Sequence, residues 1–444
     1  MSNNLSRRQV LKITAGFVAG ATAVVLPSYV AAQGDFRNQY PSVRKNVLSL
    51  SPQEKAAFVN AVMRLKHTIP QGSKVSIYDQ FTATHVGAMG FTPKMGAMSM
   101  TGEVDPHHGS DSAELIPMTS AVGPAVGADA AHQNSAFLPW HREYLRRFEQ
   151  ALQSVDPTVT LPYWDWTDSE ALDIIFQPDF LGSNGQGTIE IPGVGVVEGG
   201  PVQSGNFSEA SGWVLNKDLH FHPNTEESFG TSLLRFLRVP PADSYPIPKA
   251  DQDRLLALDD YPSFLLELEG VGLDNQSNRI FKGFEFGVDN QGNQIIIINH
   301  NYMHILVGGG IVDFSTTPAT GNPFATMSSV VSSPYDPVFW LLHANVDRLW
   351  AQWQDNGHQD SNFYPSEGQP YGHNLNDRMW PWDGGQSTPR NIGPGDLLSA
   401  LPVNAPDDIV TPAKVLKIRE LGYRYDTTSA GPRSGNRLAK VPGR

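Results

Sequence analysis

Three separate stretches of this chain set histidine into the apolar face of a helix, and no other feature limits the possible folds as much. In DPVFWLLHANVDRLWAQW, the residues Phe339, His343, Val346, Trp350 and Trp353 share one helical face. His141, Leu145, Phe148 and Leu152 line another. His300 and His304, at i and i+4, stack both imidazoles on one side of a short helix. No Glu follows His300, so this is not the zinc-protease motif. An imidazole inside an apolar stripe must be hydrogen-bonded or metal-bound. For one segment alone, the hydrogen-bonded core histidine is the simpler reading. Three segments together, with His132 in the loop leading to His141, describe an interior on which histidines converge, as in the metal sites of helix bundles.

The chemistry open to such an interior is narrow. The chain has 13 histidines and no cysteine, which removes thiolate zinc sites, iron–sulfur clusters and cysteine nucleophiles. These helices carry no Glu-x-x-His pair, so a carboxylate-bridged di-iron site is disfavoured. All-imidazole ligation suits copper or zinc. Six histidines would serve two metals with three each and leave an open position on both. Two coppers so held can take up O2 between them, each giving one electron.

The surroundings fit a folded, exported protein. Charged residues are 17% and hydrophobic residues 40%, a balance that supports a buried core rather than disorder. A formal charge of −13 argues against nucleic acid and anionic membranes as partners. Ser6-Arg7-Arg8-Gln9-Val10-Leu11-Lys12 precedes an apolar run over Ile13–Val25, and Val30-Ala31-Ala32 follows. This predicts a twin-arginine export signal over 1–32, hence a passing partnership with the twin-arginine translocase and a periplasmic or extracellular destination. No stable membrane insertion is expected after cleavage, because the run is too short to span a bilayer. An uncleaved N-terminal anchor is the alternative.

Along the rest of the chain, Ser51-Pro52-Gln53-Glu54 is a capping box opening a helix with a stripe over Ala57, Phe58, Ala61, Val62 and Leu65. Residues 86–131, rich in Gly, Met, Ala and Ser, read as an irregular excursion. Pro139–Leu152 reads as a helix, followed by an aromatic turn at Tyr163-Trp164-Asp165-Trp166. Residues 181–232 read as loops with short strands, and Ser263–Glu269 as a helix. Gln294–Ile298 reads as a strand. His300–Val307 reads as a helix stopped by Gly308-Gly309-Gly310. Asp336–Gln354 reads as a long helix with Asp336 as cap and Pro337 first. Residues 355–400 read as loop, and Arg424–Asp426 as a last strand. No repeat or linker interrupts this pattern, so one domain over 33–426 is expected, with a tail over 427–444.

Several of these stretches together resemble the tyrosinases, type-3 copper proteins grouped with catechol oxidases and haemocyanins. FLPWHREYLRRFEQALQSVDPTVTLPYWDW (137–166) looks like the stretch following the first copper site of bacterial tyrosinases. HNYMHILVGG (300–309) looks like the paired histidines of the second site, and DPVFWLLHANVDRLWAQWQ (336–354) like its third ligand helix. The resemblance runs from about Leu50 to Tyr423-Arg424-Tyr425. It implies a mainly α fold: a four-helix-bundle core holding a dicopper site, with long loops and a few short strands. It implies two copper ions, with His132 and His141 on the first and His300, His304 and His343 on the second. The approach Tyr78-Asp79-Gln80-Phe81-Thr82-Ala83-Thr84-His85 makes His85 the remaining ligand, with His107 or His108 as alternatives across a long interval. It matches Glu269 to the acidic residue that holds a water near the coppers, and Asn301 to that water's other partner. A phenol must lose its proton to bind copper, and a Glu-held water can accept it. The pocket wall maps to Ile305 and Val330. Leu342 replaces a second histidine of many relatives, and Tyr335 an Asn, so the substrate range is open.

The implied reaction is oxidation of o-diphenols to o-quinones by O2, with ortho-hydroxylation of monophenols; O2 and small phenols are the partners. A haemocyanin-like oxygen carrier is the alternative, disfavoured because little chain follows Tyr425 to form a covering domain. A structural dizinc protein and an o-aminophenol oxidase are further alternatives. Met89, Met95, Met98 and Met100 form a Met-rich stretch, read as adaptable apolar contacts before copper capture.

Overall fold

The structure is a computed structural model. It describes residues 42–89, 129–269 (except 192, 193, 224 and 241), 300–313, 320–384 and 407–429, and the backbone of four short strands between 271 and 296. The leader, Met95, Met98, Met100, His107 and His108 lie outside the described residues.

Nine α-helices stand among the described residues: α1 Pro52–His67, α2 Ile77–Ala88, α3 Phe137–Val155, α4 Ala171–Ile175, α5 Lys249–Leu256, α6 Tyr261–Glu269, α7 His300–Gly308, α8 Val338–Trp353 and α9 Pro412–Val415. No described helix is long and apolar enough to cross a membrane. Helix α1 starts at the expected capping box, with Ser51 and Glu54 exchanging both bonds. Helix α2 was not expected. It opens on a second box, in which Ser76 accepts from Asp79 N and Asp79 accepts from Ser76 N. Its last turn takes Val86, Gly87 and Ala88 out of the expected irregular stretch. Helix α8 begins at Val338 rather than at Asp336, which lies in extended backbone after a 3-10 turn over Ser333–Tyr335. Asp336 still accepts from Val338 N at 3.0 Å and pairs with buried Arg235 at 2.7 Å. Helix α7 ends where Gly309 takes φ +71°, and a Cβ there would lie 2.6 Å from the rings or side chains of Phe236 and Phe324.

The strands are short and form two-stranded pieces. The parallel pair β1 (Ser42–Arg44) and β2 (Tyr423–Tyr425) joins the two ends of the described chain, with Arg44 opposite Tyr425. The other five pairs among the described residues are antiparallel.

Helix α1 packs on α2 and α3, α3 on α8, and α7 on α6 and α8. Trp340 of α8 lies flat on Phe148 of α3, with ring centroids 3.5 Å apart, and packs edge-on against Tyr78 and Phe81 of α2. Beyond this aromatic layer a charged network ties α3 to α8. Arg142, next to His141, donates Nε to Asp347 Oδ1 at 2.5 Å; Asp347 lies one turn after His343. Asp347 Oδ2 also accepts from Arg44 and from the hydroxyls of Tyr423 and Tyr425. Arg44 completes its fork on Glu149 of α3. All four charged side chains are buried. The departures from the family pattern are both core residues: Leu342 is buried, and Tyr335 donates its hydroxyl to Asp79 Oδ1 at 2.9 Å.

Candidate metal centre

The helices bring six histidines into two triads. His85 from the last turn of α2, His132 from the loop before α3 and His141 from α3 form one; His300 and His304 from α7 and His343 from α8 form the other. Within each triad one ligand nitrogen per residue lies within 4.8 Å of the others. The triads adjoin: the rings of His141 and His343 stack at 4.4 Å. Phe339 packs against His85 at 5.3 Å, His304 at 6.1 Å and His343 at 4.1 Å, walling the centre with carbon.

The protonation pattern follows from the partners of the outer nitrogens. A carbonyl can only accept, so a ring nitrogen bonded to one carries the hydrogen. His85 Nδ1 donates to Val331 O, His141 Nδ1 to Phe137 O and His304 Nδ1 to Met327 O, at 3.2, 2.8 and 2.8 Å. His132 Nδ1 faces the Asp129 carboxylate at 3.3 Å. For His300 the argument runs through Asn301, whose Nδ2 donates to the Glu269 backbone carbonyl at 2.6 Å. That turns the amide oxygen toward His300 Nδ1, 3.1 Å away, and places the hydrogen on Nδ1 there as well. With the hydrogen on the outer nitrogen, the neutral rings of His85, His141, His300 and His304 present Nε2 lone pairs to the interior.

Those lone pairs fit metal ions. Buried Nε2 of His85 and of His141 has no hydrogen-bond partner. In the second triad the three Nε2 atoms stand 3.0, 3.1 and 3.3 Å apart. Three nitrogens each about 2.0 Å from one ion would be separated by about 3.0–3.5 Å. Nε2 of His300 and Nε2 of His304 are both acceptors and cannot bond each other, so a shared cation resolves the contact. Burial pushes His85, His141, His300 and His343 well below the usual imidazole range and His304 down to about 4, so none meets that need by taking a proton near neutrality. Neutral imidazole is also the form that ligates.

The remaining candidates take different places. Glu269, at the end of α6, is buried, and its Oε1 accepts from Gln133 N at 2.6 Å. It therefore bridges the His132 loop and, through its backbone carbonyl, Asn301 on α7. Ile305 is half-buried one residue after His304, and Val330 is 46% exposed beside Val331, whose carbonyl orients His85. Asp129 was missed from sequence; the signal was an acidic residue three positions before the loop histidine. The carbonyls of Val331, Phe137 and Met327 left no signal, since every residue has one.

Comparison with known proteins agrees with this geometry. Residues 75–356 match the model of the common central domain of tyrosinase. The chain is 33% identical to the tyrosinase of Streptomyces glaucescens, covering 80% of this chain and 96% of that protein. It is 29% identical to the grixazone synthase of Streptomyces griseus, covering 77% and 93%. Its fold is similar to a polyphenol oxidase from Thermothelomyces thermophila, with a TM-score of 0.50 and 19% identity over 91% of this chain and 94% of the other. With two imidazole triads placed for a dinuclear copper site, the chain belongs to the tyrosinase family.

Proposed function

We propose that this type-3 copper phenol oxidase converts o-diphenols to o-quinones with O2 and ortho-hydroxylates monophenols. His85, His132 and His141 would hold one copper, and His300, His304 and His343 the other. Copper there supplies an open coordination position and the electrons that reduce O2. The chain's own residues deal with the substrate's proton and orientation. A phenol must become phenolate, and the Glu269 carboxylate takes that proton directly or through one water. Asn301 keeps one amide hydrogen and one oxygen lone pair for a water shared with Glu269, while its other bonds fix His300. Ile305 and Val330 border the entry side, where His132 and Val330 are the more exposed members of the site. An apolar wall beside a polar proton acceptor suits a phenol ring and its hydroxyl.

The observation that carries this reading is Glu269, whose buried carboxylate accepts from the loop of one triad while its backbone carbonyl accepts from Asn301 on the helix of the other. The test is oxygen uptake by the copper-loaded protein with a monophenol, an o-diphenol and an o-aminophenol in parallel, repeated with Glu269→Gln. The amide keeps an acceptor for Gln133 N but cannot take a proton. Monophenol turnover should fall about 10²–10⁴-fold. Full monophenol activity in Glu269→Gln would remove the proposed role of Glu269. Turnover of the aminophenol alone would favour the second reading, an o-aminophenol oxidase, which the similarity to a grixazone synthase supports.

The leader over 1–32, with Arg7 and Arg8 ahead of an apolar run, supports export by the twin-arginine route to the periplasm or beyond. The catalytic domain is assigned to 33–426.

A further inference from the structure

His132 differs from the other five imidazoles in two ways. It stands on a loop, where no helical hydrogen bonds fix its backbone, and its outer nitrogen meets a carboxylate. The helical ligands of the first triad, His85 and His141, donate to backbone carbonyls. In the second triad, His304 donates to a carbonyl and His300 to an amide oxygen. A loop ligand needs its backbone and its ring held by something else.

The loop supplies this from one atom. Asp129 Oδ1 accepts from Ala131 N at 2.8 Å and from His132 N at 2.9 Å, and faces His132 Nδ1 at 3.3 Å. The first two bonds close a turn in the manner of Asx motifs, and the third sets the ring. The turn is anchored at both ends. Ala130 N donates to Ala88 O at the end of α2, the helix that carries His85. Asn134 Nδ2 bridges Asp129 O and His132 O, at 3.0 and 2.6 Å. Gln133 takes a left-handed φ of 59° and gives its N–H to Glu269. Resting on the dicopper reading, we infer that Asp129 is a positioning residue that holds His132 in ligating geometry through its single shared oxygen and so secures the first copper. An outer partner of this kind typically governs metal affinity by 10–100-fold.

Asp129→Ala and Asp129→Asn separate the possibilities. Asparagine can keep its amide oxygen where Oδ1 lies and accept the same three bonds; alanine cannot. Copper per chain is measured by elemental analysis, and affinity by competition with a Cu(I) chelator. The wild type should retain two coppers. Asp129→Ala should weaken one of them about 10–100-fold and leave the other unchanged. Asp129→Asn should restore retention close to wild type. In a His132→Ala background, Asp129→Ala should cause no further loss, because the effect runs through that ring. The inference is overturned if Asp129→Ala retains both coppers with wild-type affinity, if Asp129→Asn gives no rescue, or if the alanine costs as much without His132. A wild-type chain that binds no copper would instead overturn the dicopper reading, a distinguishable outcome.

Discussion

Replacing Asp347 with Ala should destabilise this protein more than almost any other single truncation outside the metal centre. The buried network holds two guanidinium groups, Arg44 and Arg142, against two carboxylates, Glu149 and Asp347. Without Asp347, Arg44 keeps Glu149 through two bonds of 3.1 and 2.9 Å. Arg142 keeps only neutral partners: Gln354 Oε1 and the carbonyls of Val415 and Leu416. One buried cation is left uncompensated, at a cost of about 3–5 kcal/mol. The hydroxyls of Tyr423 and Tyr425 lose their acceptor as well, which makes the lower end of that range a floor. Domains of ordinary stability have about 5–15 kcal/mol in all. Urea unfolding of the apo protein, followed by tryptophan fluorescence, should therefore show a midpoint shift that amounts to a large fraction of the total. The charge argument makes a sharper demand: Arg142→Met combined with Asp347→Ala removes the orphaned cation and should be less destabilised than Asp347→Ala alone. A loss below about 1 kcal/mol for the single variant, or a double variant that is worse, would refute the reasoning.

Two further outcomes follow from the same coordinates. Copper binds the folded triads and not the dispersed histidines, so loading at a hundredfold excess over the dissociation constant should add about 2.7 kcal/mol per site; a melting temperature unmoved by copper or by its chelation would contradict the metal centre. His220 is buried away from the triads, between Gly230 O and Thr326 Oγ1, and burial takes it from 6.5 down to about 4. Because its folded value is depressed, the unfolded chain binds the proton first, and stability is lost as pH falls from 6.5 toward 4, by about 1.4 kcal/mol per unit and about 3 kcal/mol in all. The stability difference between wild type and His220→Gln should shrink at that rate over this window in urea titrations, and a constant difference would show that His220 is not held neutral.

What the sequence revealed of this fold depended on how each segment is buried. Helix α1 was legible because its apolar stripe has a wet face opposite, α3 because its apolar stripe is set against charged residues such as Arg142, Glu143, Arg147 and Glu149, which pair in the interior, and α8 because its aromatic face is long. Helix α2 was not, because ten consecutive residues from Tyr78 to Gly87 contain only one that is not buried, Phe81, so no stripe exists to read. Its start was marked only by Ser76 with Asp79 in the place usually held by Glu. His141, His300, His304 and His343 announced themselves as polar residues on apolar faces. His132 stood out only by its place in the loop before His141, which has no periodicity, and His85 not at all, since it lies in the unread helix; the family resemblance made both of them ligands. The two-stranded ribbons were legible only as short strands within 181–232 and at Gln294–Ile298, and their pairing was not, because alternation this short barely registers.

The site's demand for metal is itself a consequence of folding. Burial in an aromatic shell makes the imidazolium form expensive, so His85, His141, His300 and His343 stay neutral near pH 7. Neutral imidazoles whose outer hydrogens are committed to Val331, Phe137, Met327 and Asn301 have acceptors alone on the inner side. Each buried acceptor left unsatisfied costs about 1–3 kcal/mol. The fold therefore concentrates several such costs at one point, and two cations with open positions would relieve them. The outer hydrogen bonds of five of the six histidines, which no periodicity in the sequence discloses, decide which nitrogen of each faces inward.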